Sequence, residues 1–182
     1  YKCGLLEVYC GYGKTICALK IIAELRKKTL IIVHKSFLMN QWKERIEQFL
    51  PVAKVGIIQG ETIDIENKDI VIGMLQSISM KEYSYSIFQD FGLTVLDECH
   101  HLSAEVFSRA LFKIVTKYML GLSATMNRKD GLTKVFKMFI GPIFHTEKRE
   151  SDDNVLVRKI VYENDDEEFN HTTLNFKGQV HY

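Results

Sequence analysis

Short apolar runs alternate with amphipathic helical patterns along most of the 182 residues, and few folds accommodate such an alternation. Runs such as LIIV and TVL are apolar at successive positions, as in strands that are buried on both faces. Between the first runs, Ile16, Leu19 and Ile22 recur on one face of a helical pattern. Strand and helix patterns in alternation predict a parallel sheet with helices on both sides. We therefore expect an α/β fold with a doubly wound, mostly parallel sheet.

The predicted elements end near residue 146, where the composition changes. The strand patterns are GLLEVY, TLIIVH, VGII, DIVIG, LTVLD and YMLGLS, and the helical patterns span residues 15–28, 37–50, 104–114 and 132–140. The polar segments KRESDDN and NDDEEFN then surround one further apolar run. We expect a domain over residues 1–146 and a connector with a strand or two over residues 147–182. Because the chain begins with Tyr1 and not Met, we expect a piece of a longer protein.

Charge and cysteine content limit the function classes. The 24 basic and 23 acidic side chains leave a net charge of +1, so contact with nucleic acid would use a local surface. Among Cys3, Cys10, Cys17 and Cys99 no close pair suits zinc or redox chemistry, which favours reduced thiols. No apolar run approaches the roughly 20 residues that span a bilayer, and no signal-peptide pattern is present. We expect an intracellular protein, cytoplasmic or nuclear, without a membrane partner.

The stretch CGYGKT, residues 10–15, follows an apolar run and opens a helical pattern. Glycines in such a loop let backbone N–H groups close around phosphate oxygens, and a helix N-terminus favours negative charge. Lysine reaches the outer phosphates, and a threonine hydroxyl can bind Mg²⁺. The predicted nucleotide site comprises Cys10, Gly11, Tyr12, Gly13, Lys14 and Thr15. Val8 stands where the pattern GxxxxGK[ST] has its first glycine, so a glycine-rich turn before an ordinary helix is the alternative.

Two acids end the next informative stretch, LTVLDECHH, residues 93–101. Ligands bind at the carboxyl ends of strands in open α/β sheets. Asp97 is suited to hold Mg²⁺, and Glu98 to position and deprotonate an attacking water. The alternative is an ordinary acidic turn at a strand end. A zinc site of Cys99, His100 and His101 is disfavoured, because adjacent residues cannot easily all reach one ion.

A third apolar run, YMLGLS, leads into the small polar triplet Ser123, Ala124 and Thr125. A strand that ends in serine and threonine is common, so the triplet by itself indicates little. Its position after the glycine-rich loop and the acidic pair gives it weight.

Read together, GYGKT, DECH and SAT resemble motifs I, II and III of superfamily 2 helicases and translocases. Many members have a small or polar residue in place of the first loop glycine, so Val8 does not exclude the motif. TLIIVHKSFLMNQWKERIEQFL resembles the motif Ia region, with His34 in place of a proline, and IVIGMLQSI resembles a later block, with Met74 in place of a threonine. GLSATMNRKDGLTKVFKMFIGPI resembles the XPB-like branch and helicases of large cytoplasmic DNA viruses, including poxviral transcript-release helicases. The resemblance covers about residues 5–142.

The resemblance implies a RecA-like P-loop NTPase domain that uses ATP and Mg²⁺. Its implied catalytic residues are Lys14, Asp97 and Glu98, and its implied magnesium ligands are Thr15 and Asp97. His100 would contact the nucleotide and link it to the coupling residues Ser123, Ala124 and Thr125. A second RecA-like domain of the same chain, with an arginine finger, is expected after residue 182, and an adenine-contacting segment before residue 1.

In this family the first domain grips one strand through its phosphates, which gives affinity without sequence information. The candidate contacts follow predicted strands and are His34, Lys35, Ser36, Gln76, Ser77, Asn127 and Arg128. Ordinary solvated charges are the alternative for Lys35 and Arg128. A base could stack on Trp42, but its place in an amphipathic helix favours a packing role.

The favoured function is an ATP-dependent helicase or translocase, with DNA expected in preference to RNA. The transcription machinery is a further candidate partner, and a viral source would imply the host cytoplasm or the virion. Two alternatives stay open: a nucleotide-binding regulatory module without catalysis, and a small P-loop kinase. A small P-loop kinase would not explain why DECH is followed by SAT.

Overall fold

A computed structural model describes residues 2–98, 104–124 and 132–147. Its strands are β1 (Cys3–Val8), β2 (Thr29–Val33), β3 (Val55–Gln59), β4 (Thr62–Asp64), β5 (Ile70–Met74), β6 (Leu93–Leu96), β7 (Tyr118–Ser123) and β8 (Ile143–Glu147). Its helices are α1 (Lys14–Leu25), α2 (Ser36–Phe49), α3 (Leu75–Met80), α4 (Ala104–Leu111) and α5 (Leu132–Ile140). A short 3-10 turn, Tyr85–Phe88, precedes β6.

The described strands form one eight-stranded sheet in the order β4-β3-β5-β2-β6-β7-β1-β8. Every pairing within it is parallel except that of β3 with β4. The central strands are buried along their whole length, including all five residues of β2 and all four of β6. Continuous burial explains why their sequences are apolar at successive positions. The expected doubly wound, mostly parallel α/β fold is confirmed.

Helices cover both faces of the sheet because alternate strand side chains point to opposite sides. On one face, α1 and α2 pack through Leu19, Ile22, Trp42 and Ile46. On the other face, α3, α4 and α5 pack through Leu75, Ile78, Phe107, Phe136 and Ile140. The rings of Phe107 and Phe136 meet edge to face with centroids 4.7 Å apart, which joins α4 to α5.

The structure differs from the sequence prediction in where helix α1 ends and in elements that were not predicted. Helix α1 stops at Leu25 and not at Lys28, because Arg26 takes a left-handed conformation (φ 49°) and its N–H donates to the Ile22 carbonyl. Strands β4 and β8 and helix α3 were not predicted. Strand β4 is an edge strand of three exposed residues, and helix α3 is only six residues long, so neither gives a clear apolar period.

Strand β8 pairs in parallel with β1 and ends at Glu147, where the description of the chain also ends. The predicted connector, residues 147–182, lies almost wholly outside the described residues. The division after residue 146 therefore stays a prediction. Within the described ranges, no helix is long and apolar enough to cross a membrane.

Candidate active site

The sheet topology brings the predicted motifs to one edge. Strands β1, β7, β6, β2 and β5 are neighbours in that order and run in parallel, so their carboxyl ends lie side by side. The glycine-rich loop follows β1, Asp97 follows β6, and Ser123 ends the strand between them. Ser123 is fully buried and Ala124 is half-buried. This edge is where open α/β sheets bind ligands.

The glycine-rich loop has a backbone that only glycine adopts readily. Gly11 and Gly13 have φ values of 90° and 97°, and Gly13 is the residue that precedes the first turn of α1. A Cβ added at either glycine would meet no atom within 4 Å, so the requirement for glycine comes from φ and not from crowding. Helix α1 has neither a side-chain cap nor an acid in its first turn. Its N-terminal N–H groups therefore suit an anion such as phosphate.

Val8 ends β1 at the position where the glycine of the strict pattern would stand. Its side chain is fully buried and packs in the core under α1 and α2. Its carbonyl oxygen accepts a hydrogen bond from Lys14 Nζ at 3.4 Å. A core side chain thus occupies this position, and the loop turns at Gly11 and Gly13 instead.

Lys14 and Glu98 meet across the site. Lys14 Nζ lies 3.4 Å from Glu98 Oε1, and the two side chains are only 10% and 21% exposed. Glu98 has a left-handed backbone with φ 50°, which is uncommon for a residue other than glycine and costs energy. Such strained conformations cluster at functional sites, where neighbouring structure maintains them.

Asp97 is a buried carboxylate with a specific donor. Its side chain accepts a 2.7 Å hydrogen bond at Oδ2 from Trp42 Nε1, and its own N–H donates to the Ile32 carbonyl. Burial raises the pKa of Asp97, while the Trp42 hydrogen bond opposes that rise and the nearby Glu98 charge adds to it. Trp42 is 1% exposed, which supports the packing interpretation over stacking on a base.

Two cavities open beside these residues. One of about 400 Å³ is lined by Cys10, Gly11, Gly13, Lys14, Thr15, Ile16, Arg45 and Glu98. The other, of about 280 Å³, is lined by Thr15, Gln41, Trp42, Glu44, Arg45 and Asp97. Thr15 and Arg45 line both cavities, so the predicted phosphate loop and the predicted magnesium ligand share one region. Tyr12 is exposed on the loop, with its ring edge to face against Tyr9 at 5.2 Å.

The donor set of the smaller cavity fits magnesium. Mg²⁺ prefers oxygen ligands and is usually held by one or two carboxylates together with substrate phosphates. The Thr15 hydroxyl and the Asp97 carboxylate are such oxygens and line the same space. Within the described part of the chain, no group of three or more His, Cys, Asp or Glu side chains could hold a metal ion. Mg²⁺ held by these two oxygens would take its remaining ligands from water and substrate phosphates.

The sequence analysis considered Trp42 only for packing or base stacking and did not consider Arg45, so it placed neither residue in this site. Both lie on α2, three positions apart and hence on one side of the helix. Arg45 is exposed, and its Nη1 donates to Gln48 Oε1 at 2.8 Å. The only sequence signal was the QW pair in an amphipathic helix, which does not reveal that α2 packs against the end of β6.

The predicted nucleic-acid contacts that the structure describes lie at the ends of β2 and β5. Gln76 Nε2 donates to the His34 carbonyl at 2.8 Å, and Ser77 Oγ accepts from the Gly60 N–H at 2.9 Å. Lys35 Nζ stands 5.8 Å above the half-exposed Phe37 ring. Ser36 begins α2. The other predicted residues, His100, Thr125, Asn127 and Arg128, lie outside the described ranges, as do Cys99 and His101.

Known proteins are similar to this chain in sequence and in fold. The family described as "Type III restriction enzyme, res subunit" matches residues 2–128. The putative ATP-dependent RNA helicase of Acanthamoeba polyphaga mimivirus is 39% identical over 91% of this chain and 32% of its own length. The DNA 3'-5' translocase XPB2 of Sulfurisphaera tokodaii is 34% identical over 79% of this chain and 32% of its own.

Among solved structures, the UvsW helicase of bacteriophage T4 superposes with a TM-score of 0.67 at 21% identity, over 79% of this chain and 54% of that one. This likeness shows the fold, and the match with the family shows membership. The chain spans about a third of the length of the two sequence relatives named above. The chain belongs to the Type III restriction enzyme res-subunit family of superfamily 2 helicases.

Proposed function

We propose that this chain is the ATP-binding part of a nucleic-acid-dependent ATPase that works as a helicase or translocase. The observation that carries the proposal is the 3.4 Å approach of Lys14 Nζ to Glu98 Oε1 beside an uncapped helix N-terminus. A phosphate-binding cation and an acid suited to activate water then adjoin one cavity of about 400 Å³. Family membership supports the same activity and gives no support to a small P-loop kinase.

Each described residue of the site has a task in phosphoryl transfer. Backbone N–H groups of the loop and Lys14 would bind the phosphates, and Thr15 and Asp97 would hold Mg²⁺. Magnesium, when bound, supplies positive charge that offsets the charge of the transferring phosphate. Glu98 would orient a water molecule and accept its proton.

The Lys14–Glu98 ion pair suggests an order of events. Lys14 contacts the carboxylate of Glu98 and the Val8 carbonyl. A phosphate group brings more negative charge than one carboxylate, so Lys14 is expected to exchange Glu98 for phosphate when ATP binds. Glu98 would then be available to the attacking water only in the loaded site.

Nucleic acid would bind along the edge formed by the ends of β2 and β5. There the hydrogen bond from Gln76 to the His34 carbonyl brings two of the predicted contact segments together, next to Lys35 and Ser36. Contacts of this kind reach phosphates and sugars and leave base sequence unread. We expect DNA as the preferred polymer.

We further propose that the whole protein carries a second RecA-like domain with an arginine finger. This proposal rests on family membership and on the greater length of the relatives. An arginine finger contributes on the order of 10³ to 10⁵ in rate in related phosphoryl-transfer enzymes. The transcription machinery stays a candidate partner and an intracellular location stays a prediction.

The deciding experiment measures ATP turnover by the whole protein with no polymer, single-stranded DNA, duplex DNA or RNA. Stimulation by a polymer, greatest with DNA, is the expected result. Binding of Mg²⁺ and ATP without turnover under any condition would instead favour a regulatory module. Transfer of phosphate to a small acceptor, with no response to polymer, would favour a kinase.

A further inference from the structure

We propose that Trp42 is a positioning residue that fixes the Asp97 carboxylate for magnesium. The inference rests on the proposed ATP site and adds a residue from a different helix to it. Nothing in the sequence pattern assigns Trp42 such a role, because its partner lies 55 positions further along the chain.

The contact has the geometry of a strong hydrogen bond. Trp42 Nε1 lies 2.7 Å from Asp97 Oδ2, and hydrogen bonds to an ionised acceptor are shorter and stronger than neutral ones. The indole N–H is only a donor, and Trp42 and Asp97 are 1% and 7% exposed. Water therefore has little access to either group, and the indole is the side-chain partner of this carboxylate.

The hydrogen bond restricts how the carboxylate can turn. The backbone of Asp97 is fixed by its N–H bond to the Ile32 carbonyl. With Oδ2 held by the indole, rotation about the last side-chain bond would break a buried contact. Partners of this kind orient metal ligands, and their loss typically costs about 10- to 100-fold in metal affinity.

The indole also belongs to the wall of the proposed metal site. Trp42, Thr15 and Asp97 line the same cavity of about 280 Å³. Trp42 also belongs to the buried core cluster of α1 and α2, together with Met39 and Ile46. Helix α2, through Trp42, thus orients the carboxylate of Asp97, which follows β6.

Two measurements on the 182-residue chain test the inference. First, Trp42 is the only tryptophan, so its emission reports on this contact without labelling. Addition of Mg²⁺ with ADP should change the emission, and the change should be lost in Asp97→Asn. Second, Trp42→Phe removes the N–H but keeps an aromatic ring. Binding of a fluorescent ADP should then need about 10- to 100-fold more Mg²⁺ for half-saturation. The affinity for ADP measured in the presence of EDTA should change little.

Ile46→Val is the matched control, because Ile46 lies on the same helix and is 1% exposed. It should lower stability by about 0.5–1.5 kcal/mol without moving the magnesium requirement. In an Asp97→Asn background, Trp42→Phe should have no further effect on that requirement.

An unaltered magnesium requirement in Trp42→Phe would overturn the inference and leave the ATP site standing. If the unsubstituted chain binds ADP equally well with Mg²⁺ and with EDTA, the proposed site and the inference both fail. Should Trp42→Phe not fold, an emission unaffected by Mg²⁺ and ADP while ADP binds would overturn the inference.

Discussion

Lys14 Nζ lies 3.4 Å from Glu98 Oε1, so the two residues proposed to act on phosphate and on water pair with each other. The pair is mostly shielded from solvent, with side chains 10% and 21% exposed. Its position between the glycine-rich loop and the end of β6 predicts opposite consequences for removing the two charges.

Lys14→Ala should abolish nucleotide binding, whereas Glu98→Gln should bind ADP at least as tightly as the unsubstituted chain. In the proposed site Lys14 would contact the phosphates directly, and Glu98, which lies 3.4 Å from Lys14 Nζ, would compete with them for it. In the whole protein, Glu98→Gln should also reduce turnover by about 10²-fold or more, the usual contribution of a general base. Isothermal titration with ADP and a steady-state ATPase assay measure the two effects.

The matched control is Lys20→Ala, which removes an exposed lysine of the same helix that pairs with Glu24. Surface pairs of this type contribute about 0–1 kcal/mol, so this variant should bind ADP normally. Equal loss of affinity in Lys14→Ala and Glu98→Gln would contradict the assigned roles.

Asp97→Asn should stabilise the chain when no metal is present. Burial raises the pKa of Asp97, so the native state binds this proton more readily than the unfolded state. The stability that protonation contributes is present at low pH and is lost as pH rises through the raised pKa. A neutral amide avoids the cost of the buried charge and can still accept from Trp42 through its oxygen.

Thermal unfolding in EDTA between pH 3.5 and pH 8 measures this effect. We expect a higher Tm for Asp97→Asn at pH 8 and a smaller difference below the ordinary aspartate pKa of 3.8, with about 2–4 °C for each kcal/mol. Asp90→Asn is the control, since Asp90 is an exposed acid on a turn before β6. A Tm for Asp97→Asn at or below that of the unsubstituted chain at pH 8 would refute the prediction.

Much of this fold follows from local sequence. The consecutive apolar residues of β2 and β6 indicate burial on both faces, and both strands are buried throughout. Strand β4 escapes prediction because Thr62, Ile63 and Asp64 are exposed and form a strand by pairing with β3. Pairing at a sheet edge depends on the neighbouring strand, which a local pattern does not contain.

The candidate site likewise contains some residues that the local sequence reveals and others that it does not. The loop and the acidic pair are recognisable because each is contiguous and follows an apolar strand. The hydrogen bond between Trp42 and Asp97 is not recognisable, because it joins elements 55 positions apart. Arg45 likewise looks like an ordinary helix arginine until α2 is packed beside the loop. Contacts between distant elements are set by packing, which the periodicity of one segment does not encode.

Gly13→Ala should weaken both folding and nucleotide binding. Gly13 has φ 97°, and an L-residue with a left-handed backbone costs roughly 1–2 kcal/mol. A change of Gly13 to a negative φ would relieve this strain and would turn the loop N–H groups away from the proposed phosphate position. Gly60→Ala is the matched control, since Gly60 also has a positive φ, of 60°, with no atom near an added Cβ.

Chemical denaturation and ADP titration of both variants separate the two effects. Each should lose stability, while only Gly13→Ala should lose affinity for ADP. Normal ADP affinity in a folded Gly13→Ala variant would show that the loop conformation is not needed for binding.

The last prediction concerns the nucleic-acid edge in the whole protein. If Lys35 neutralises one phosphate, Lys35→Ala should lower the slope of log affinity against log salt by about 0.7 to 0.9. Binding should weaken by a similar factor for DNA of any sequence, since phosphate contacts carry no base information. Fluorescence anisotropy with two unrelated DNA sequences between 50 and 200 mM salt measures both quantities.

Lys43→Ala provides the control, because Lys43 is an exposed lysine of the same helix α2 that lies beside Ile46 and Pro51 instead of at the sheet edge. A change of slope in the control equal to that in Lys35→Ala would mean that general positive charge, and not this edge, accounts for binding.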